Sequence, residues 1–121
     1  MTRRVLVLGL GLTGDAVVRW ATDSGAAVRV VEDRPDAVDP ARRAAAHERG
    51  AEITATPDPD DPAALGACLD GVELVVPSPG VPERHPLLVA ARTRGVPVRA
   101  EVDLGAELLA ERGRTLVAVT G

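Results

Sequence analysis

Residues 6–17 read LVLGLGLTGDAV, an apolar run that breaks into glycines at Gly9, Gly11 and Gly14 and then resumes with helical periodicity. The spacing is G-x-G-x-x-G. It suits a backbone that turns sharply from strand to helix and lets an anion approach the free N–H groups at the helix start. Several unrelated ligand classes use that turn, so the stretch defines a kind of site and leaves its ligand open.

Outward from this turn, short runs rich in Val and Leu recur at 5–8, 28–31, 52–55, 74–76, 96–99 and 116–119, with segments of helical periodicity between them. Such alternation predicts βαβ units and a parallel sheet. In the first helix Ala16, Val17, Trp20 and Ala21 share one face, which makes Trp20 a core residue, and Gly25 supplies the stop. Further helices are expected at 40–49, 62–69, 85–94 and 102–112, closed by Gly50, Gly71, Gly95 and Gly113. The expected fold is α/β: a Rossmann-like, doubly wound parallel sheet of five strands flanked by helices. The segment TATPDPDDPA, 54–63, reads as a solvated acidic loop with no histidine beside it to complete a metal-ligand set.

Bulk properties remove much chemistry. The chain has 121 residues, 45% of them apolar, and a mean hydropathy near zero at +0.07, as expected of one soluble domain with a real core. Its apolar stretches stop well short of the roughly 20 residues of a membrane span, and the N-terminus runs into a strand rather than a cleavable signal, so a cytoplasmic location is expected. The single cysteine, Cys68, sits among Leu65 and Leu69 and reads as a packing residue. With a net charge of −4 and Trp20 as the only aromatic residue, nucleic acid is not an expected partner. All 14 basic residues are arginine, which excludes a phosphate-loop lysine, a Schiff-base lysine or a lysine general base.

In an open sheet of this kind the ligand crevice lies at the carboxyl ends of the strands, where the strand order reverses. Two loops should meet there: 9–14 after the first strand, and PSPGVP, 77–82, after the strand at 74–76. Prolines stiffen the second loop, Gly80 permits close approach of its backbone, and Ser78 adds a hydroxyl, so it can form the far wall of a slot. The second strand ends in VVEDRP, 30–35, which places an acid 18 residues past Gly14, where dinucleotide sites bind ribose hydroxyls. Glu32 or Asp33 can fill that role. Arg34 can stack on a flat ring or pair with a phosphate. Thr13 can add a hydroxyl to the cradle or cap the helix that begins there.

Taken together, the chain resembles the N-terminal domain of the Mur ligases of peptidoglycan synthesis, above all the branch that adds D-glutamate to UDP-N-acetylmuramoyl-L-alanine. The likeness is carried by GLGLTG at 9–14, EDR at 32–34, SPGVP at 78–82, HPLL at 85–88, EVDLGAELL at 101–109 and LVAVTG at 116–121. It spans the whole chain. The resemblance implies that this domain binds the UDP part of the substrate, with Gly11, Leu12 and Thr13 against the diphosphate. It also implies that Glu32 and Asp33 contact the uracil, that Arg34 covers the ring or its ribose, and that Ser78, Pro79 and Gly80 close the slot. Family members often carry Asp-Thr or Asp-Ser before this arginine, so Glu-Asp leaves the uracil contact open by one position.

Thr120 and Gly121 are similar to the opening of the phosphate loop TGTNGKTT, an ATP-binding element of the family's central domain. The resemblance therefore implies a substrate domain over 1–113 and, at 114–121, the first strand of a truncated ATP-binding domain. It implies a parent enzyme that uses ATP and magnesium to phosphorylate a carboxylate, the acyl phosphate then being attacked by the amine of D-glutamate. No catalytic residue and no metal ligand is expected within this chain, which would bind without catalysing. An apolar strand at 116–119 without its natural neighbours could drive self-association. Two other readings fit the turn at 9–14: a domain sensing NAD or an adenine nucleotide, like those attached to potassium channels, and a ligand-free interaction domain. The proline-rich loop and the terminal Val-Thr-Gly speak against the first.

Overall fold

A computed structural model describes residues 4–99. The elements run β1 (Arg4–Leu8), α1 (Leu12–Asp23), β2 (Ala27–Glu32), a short 3-10 turn (Pro35–Ala37), α2 (Pro40–Glu48), β3 (Glu52–Ala55), α3 (Pro62–Leu69), β4 (Leu74–Pro77) and α4 (Pro86–Thr93).

One device starts three of the four helices. A side chain accepts a backbone N–H and a proline follows it at the first helical position, where a missing N–H costs nothing. Asp39 caps α2 by accepting from Ala41 N–H at 3.0 Å. Asp61 caps α3 by accepting from Ala64 N–H at 3.1 Å, and His85 caps α4 by accepting from Leu87 N–H at 3.2 Å. Helix α1 differs: it opens at Gly11 with no side-chain cap, which leaves its first N–H groups for something else.

The four strands are parallel in the order β3-β2-β1-β4. Val7 of β1 stands between Val30 of β2 and Val76 of β4. From β1 the chain steps outward twice in one direction, through α1 to β2 and through α2 to β3. It then crosses back over α3 to reach β4 on the other side of β1. Crossovers of constant hand put the helices of opposite steps on opposite faces, and the two apolar clusters follow that division. Val5, Val7, Val28 and Val30 pack with Val17, Val18 and Ala21 of α1 and Ala46 of α2. Leu6, Leu8 and Val31 pack with Leu65 and Leu69 of α3 and Leu87, Leu88 and Ala91 of α4. The alternation along β1 thus feeds two cores, and each fully buried leucine contributes about 2 kcal/mol by removal from water. Trp20 lies partly buried against the first cluster. Cys68 lies partly buried against the second, where burial pushes its thiol pKa up against the opposing pull of Arg29.

The expectation of five strands needs correction. The described sheet has four, and the segment at 96–99 touches it through one parallel bridge, Val75 to Val98. Its two bonds, Val75 N–H to Pro97 C=O and Arg99 N–H to Val75 C=O, are both 2.9 Å. Pro97 has no N–H to give, and a proline in a strand shortens the ladder it can build. The helix expected at 102–112, the strand at 116–119, the domain boundary at 113/114 and the pair Thr120 and Gly121 lie outside the described residues.

Candidate functional site

The reversal of strand order falls between β1 and β4, and the loops leaving these two strands meet over it. Ser78 N–H donates to Leu8 C=O at 2.9 Å, and Ser78 Oγ donates to Gly9 C=O at 3.1 Å. That contact explains the first glycine of the turn. Gly9 has φ +89°, and a Cβ there would lie 2.8 Å from Ser78 Oγ. The third glycine is explained inside the turn, since a Cβ on Gly14 would lie 2.4 Å from the carbonyl oxygen of Gly9. The second is unlike both. A Cβ on Gly11 would meet no atom within 4 Å, so packing does not require a glycine there.

Gly11 borders a cleft of about 480 Å³, within the usual range for small-molecule sites. The glycine turn (Gly9, Leu10, Gly11) forms its floor and Ser78, Pro79, Gly80 and Val81 form one wall. The opposite wall comes from β2 and the residues after it: Glu32, Arg34, Ala37, Val38, Asp39 and Arg42. Of the residues expected in the site, Gly11, Glu32, Arg34, Ser78, Pro79 and Gly80 line the cleft, and Leu12 and Thr13 provide the first backbone turn of α1 beside it.

Glu32 and Asp33 have different jobs. Glu32 Oε2 accepts the N–H of Leu10 at 2.8 Å, tying the end of β2 to the glycine turn at the cleft floor. Asp33 does not line the cleft. Its Oδ1 accepts from Thr56 Oγ1 and lies 3.2 Å from Nε2 of His85. The Thr56 hydrogen bond holds the Asp33 carboxyl below the usual carboxylate range. Partial burial opposes this, and the His85 hydrogen bond and the charge of Arg34 assist it.

Two cationic side chains, Arg34 and Arg42, line the cleft. Among the described residues the guanidinium groups of Arg34 and Arg42 make no hydrogen bond or ion pair. Together with the uncapped start of α1 they make an electropositive lining suited to an anion. Sequence reasoning missed Arg42, because the 3-10 turn at Pro35–Ala37 that swings α2 toward the cleft carries no strong local signal. It also missed the roles of His85 and Thr56, which lie 52 and 23 residues from Asp33. No group of three or more His, Cys, Asp and Glu is placed to hold a metal among the described residues. None of these described helices is long and apolar enough to cross a membrane.

Residues 3–100 match the family model described as Mur ligase MurD-like, N-terminal domain. The UDP-N-acetylmuramoylalanine--D-glutamate ligase of Thermobifida fusca is 43% identical over 119 residues, which are 98% of this chain and 24% of that enzyme. The ligase of the same name from Rubrobacter xylanophilus is 42% identical over 123 residues, again 98% of this chain and 24% of the relative. The chain thus spans about a quarter of the length of these curated relatives. Among solved structures, the UDP-N-acetylmuramate-alanine ligase MurC of Thermotoga maritima superposes with a TM-score of 0.66 over 93% of this chain and 24% of that one, at 20% identity, a likeness of fold. The family-model match over residues 3–100 places this chain in the MurD-like N-terminal domain family of the Mur ligases.

Proposed function

We propose that the cleft binds the uridine diphosphate portion of UDP-N-acetylmuramoyl-L-alanine, and that the chain acts as the substrate-holding domain of an ATP-dependent ligase that joins D-glutamate to it. The observation that carries this reading is the pairing of an open helix start at Gly11, without a side-chain cap, with two arginines on one wall that make no hydrogen bond or ion pair among the described residues. A diphosphate supplies the negative charge that both features lack, and a bound anion at a helix start without a side-chain cap satisfies its free N–H groups.

In this reading the domain's own residues bind and orient. The backbone of 11–13 holds the diphosphate, Glu32 and Arg34 face the base and ribose, and Arg42 offers a second charge to the phosphates. The reading assigns the phosphorylation and amide-forming steps, with the ATP and magnesium they use, to parts of the ligase beyond the described residues. The location proposed is the cytoplasm, where nucleotide-linked precursors and ATP are both present.

Titration of the chain with UDP, UDP-N-acetylmuramoyl-L-alanine, NAD and ATP, followed by amide NMR shifts, tests the reading. Uridine ligands should bind most strongly and shift residues 9–14, 32–34 and 78–81. Tighter binding of NAD than of any uridine ligand would overturn it in favour of an adenine-nucleotide sensor.

A further inference from the structure

His85 is the one buried polar side chain among the described residues, 7% exposed, and the cleft does not touch it. Its two ring nitrogens are committed in different directions. Nδ1 accepts from Leu87 N–H at 3.2 Å, which caps α4. With Nδ1 accepting, the ring proton sits on Nε2, which donates to Asp33 Oδ1 at 3.2 Å. Thr56, beyond the end of β3, donates to the same oxygen. One carboxylate thus ties together the segments that follow β2, β3 and β4, and does so beside the cleft rather than in it.

What this arrangement prevents is visible in the charges nearby. Asp33 is exposed on its outer side, 63% by side chain, and is the immediate neighbour of Arg34, whose guanidinium has no hydrogen-bonding or ion-pairing partner among the described residues. Glu32 already contributes one negative charge to the wall. A released Asp33 carboxylate could fold onto Arg34, neutralise it, and place a second negative charge where an anionic ligand must sit.

We infer that His85 is a positioning residue for ligand binding: it holds the Asp33 carboxylate away from the cleft, with Thr56 as second tether, and so keeps Arg34 available to the ligand. The inference rests on the uridine diphosphate reading of the cleft. It is separate from the capping role of the same ring, and one substitution parts the two. Asparagine is a good helix cap and can accept the Leu87 N–H, but its amide is too short to reach Asp33.

The test is a double-mutant cycle on the chain with UDP as the probe, comparing His85→Asn, Asp33→Ala and the double variant, alongside the thermal midpoint of each. His85→Asn should weaken UDP binding by about threefold to tenfold, the range of one hydrogen bond's net worth, with the midpoint close to wild type. In the Asp33→Ala background, with no carboxylate to release, the same substitution should leave UDP affinity unchanged. A purely structural histidine would cost the same in both backgrounds, and that result overturns the inference, as does unchanged affinity in the single variant. Should His85→Asn fail to fold, Thr56→Val removes the other tether and carries the same expectation, including its disappearance in the Asp33→Ala background. Failure of the wild-type chain to bind UDP would instead remove the underlying reading, an outcome distinct from wild-type binding that His85→Asn does not alter.

Discussion

The two edges of the sheet spend their arginines differently. At the amino edge, where the helices end, three guanidinium groups are taken up by the fold. Arg4 Nη1 donates to Asp70 C=O at 2.9 Å, and Arg29 Nη1 donates to Ala67 C=O at 3.0 Å and to Cys68 C=O at 2.8 Å. Both therefore serve the C-terminus of α3, where unpaired carbonyls and the negative end of the helix dipole favour a cation. Arg49 does the same between helices, donating to Thr22 Oγ1 at 3.2 Å and to Asp23 Oδ1 at 3.0 Å. At the carboxyl edge Arg34 and Arg42 face the cleft with no hydrogen bond or ion pair among the described residues. Arg4, Arg29 and Arg49 are thus explained by helix-end groups of the chain itself, whereas Arg34 and Arg42 have no such partner among the described residues.

The glycines of the first turn give the hardest test of that division. Gly14→Val drives a side chain into the carbonyl of Gly9, which lies 2.4 Å from the new Cβ. Because that contact is backbone, the expected cost is about 3 kcal/mol, read as a lowered midpoint in chemical denaturation. Gly11→Val meets nothing within 4 Å and should leave the denaturation midpoint nearly unchanged while abolishing UDP binding. Equal losses of stability in the two variants would erase the distinction between a glycine needed for packing and one needed for ligand approach.

The arginines sharpen the comparison at smaller scale. Arg29→Ala removes bonds to two helix-end carbonyls and to Glu52, and should lower stability by about 1–2 kcal/mol without changing UDP affinity. Arg34→Ala and Arg42→Ala should each weaken UDP binding by about 1 kcal/mol and leave stability untouched. Calorimetric titration paired with thermal melts separates the two outcomes, and a crossed result for either edge would show that its cations are misassigned.

Much of this was legible in the sequence because it is local. The strand-to-helix turn at 9–14 is written in three glycines, and Asp39-Pro40, Asp61-Pro62 and His85-Pro86 each announce a helix start that the structure shows capped in that way. The wall at Ser78–Gly80 follows from its prolines and its place after an apolar strand. What escaped is what depends on distant pairing. Pro97 reduces an expected fifth strand to one bridge because ladder formation needs its missing N–H. Arg42 reaches the cleft through a 3-10 turn with no clear signature. Glu32 lines the cleft and Asp33 does not, the first held by Leu10 and the second by Thr56 and His85. No pattern around residue 32 encodes those partners. Thr56 in particular sits in an acidic loop that reads, by itself, as solvated surface.

The smallest expected effect lies at Asp33, between the two kinds of site. The Thr56 hydrogen bond, with His85 assisting and burial opposing, holds its folded pKa below the unfolded carboxylate value of about 4. A carboxylate with a depressed folded pKa adds stability that is fully present above its unfolded pKa and is lost as the pH falls through the folded value. Asp33→Asn retains an oxygen acceptor for Thr56 and His85 but no charge. The wild type should therefore melt slightly above the variant at pH 7, keep that margin down to about pH 4, and lose it at lower pH. The margin is small because solvent screens a side chain that is 63% exposed. A margin that persists unchanged to pH 2 would mean that the geometry of residue 33, rather than its charge, secures the three segments. Asp33 would then behave like the fold-bound groups of the amino edge.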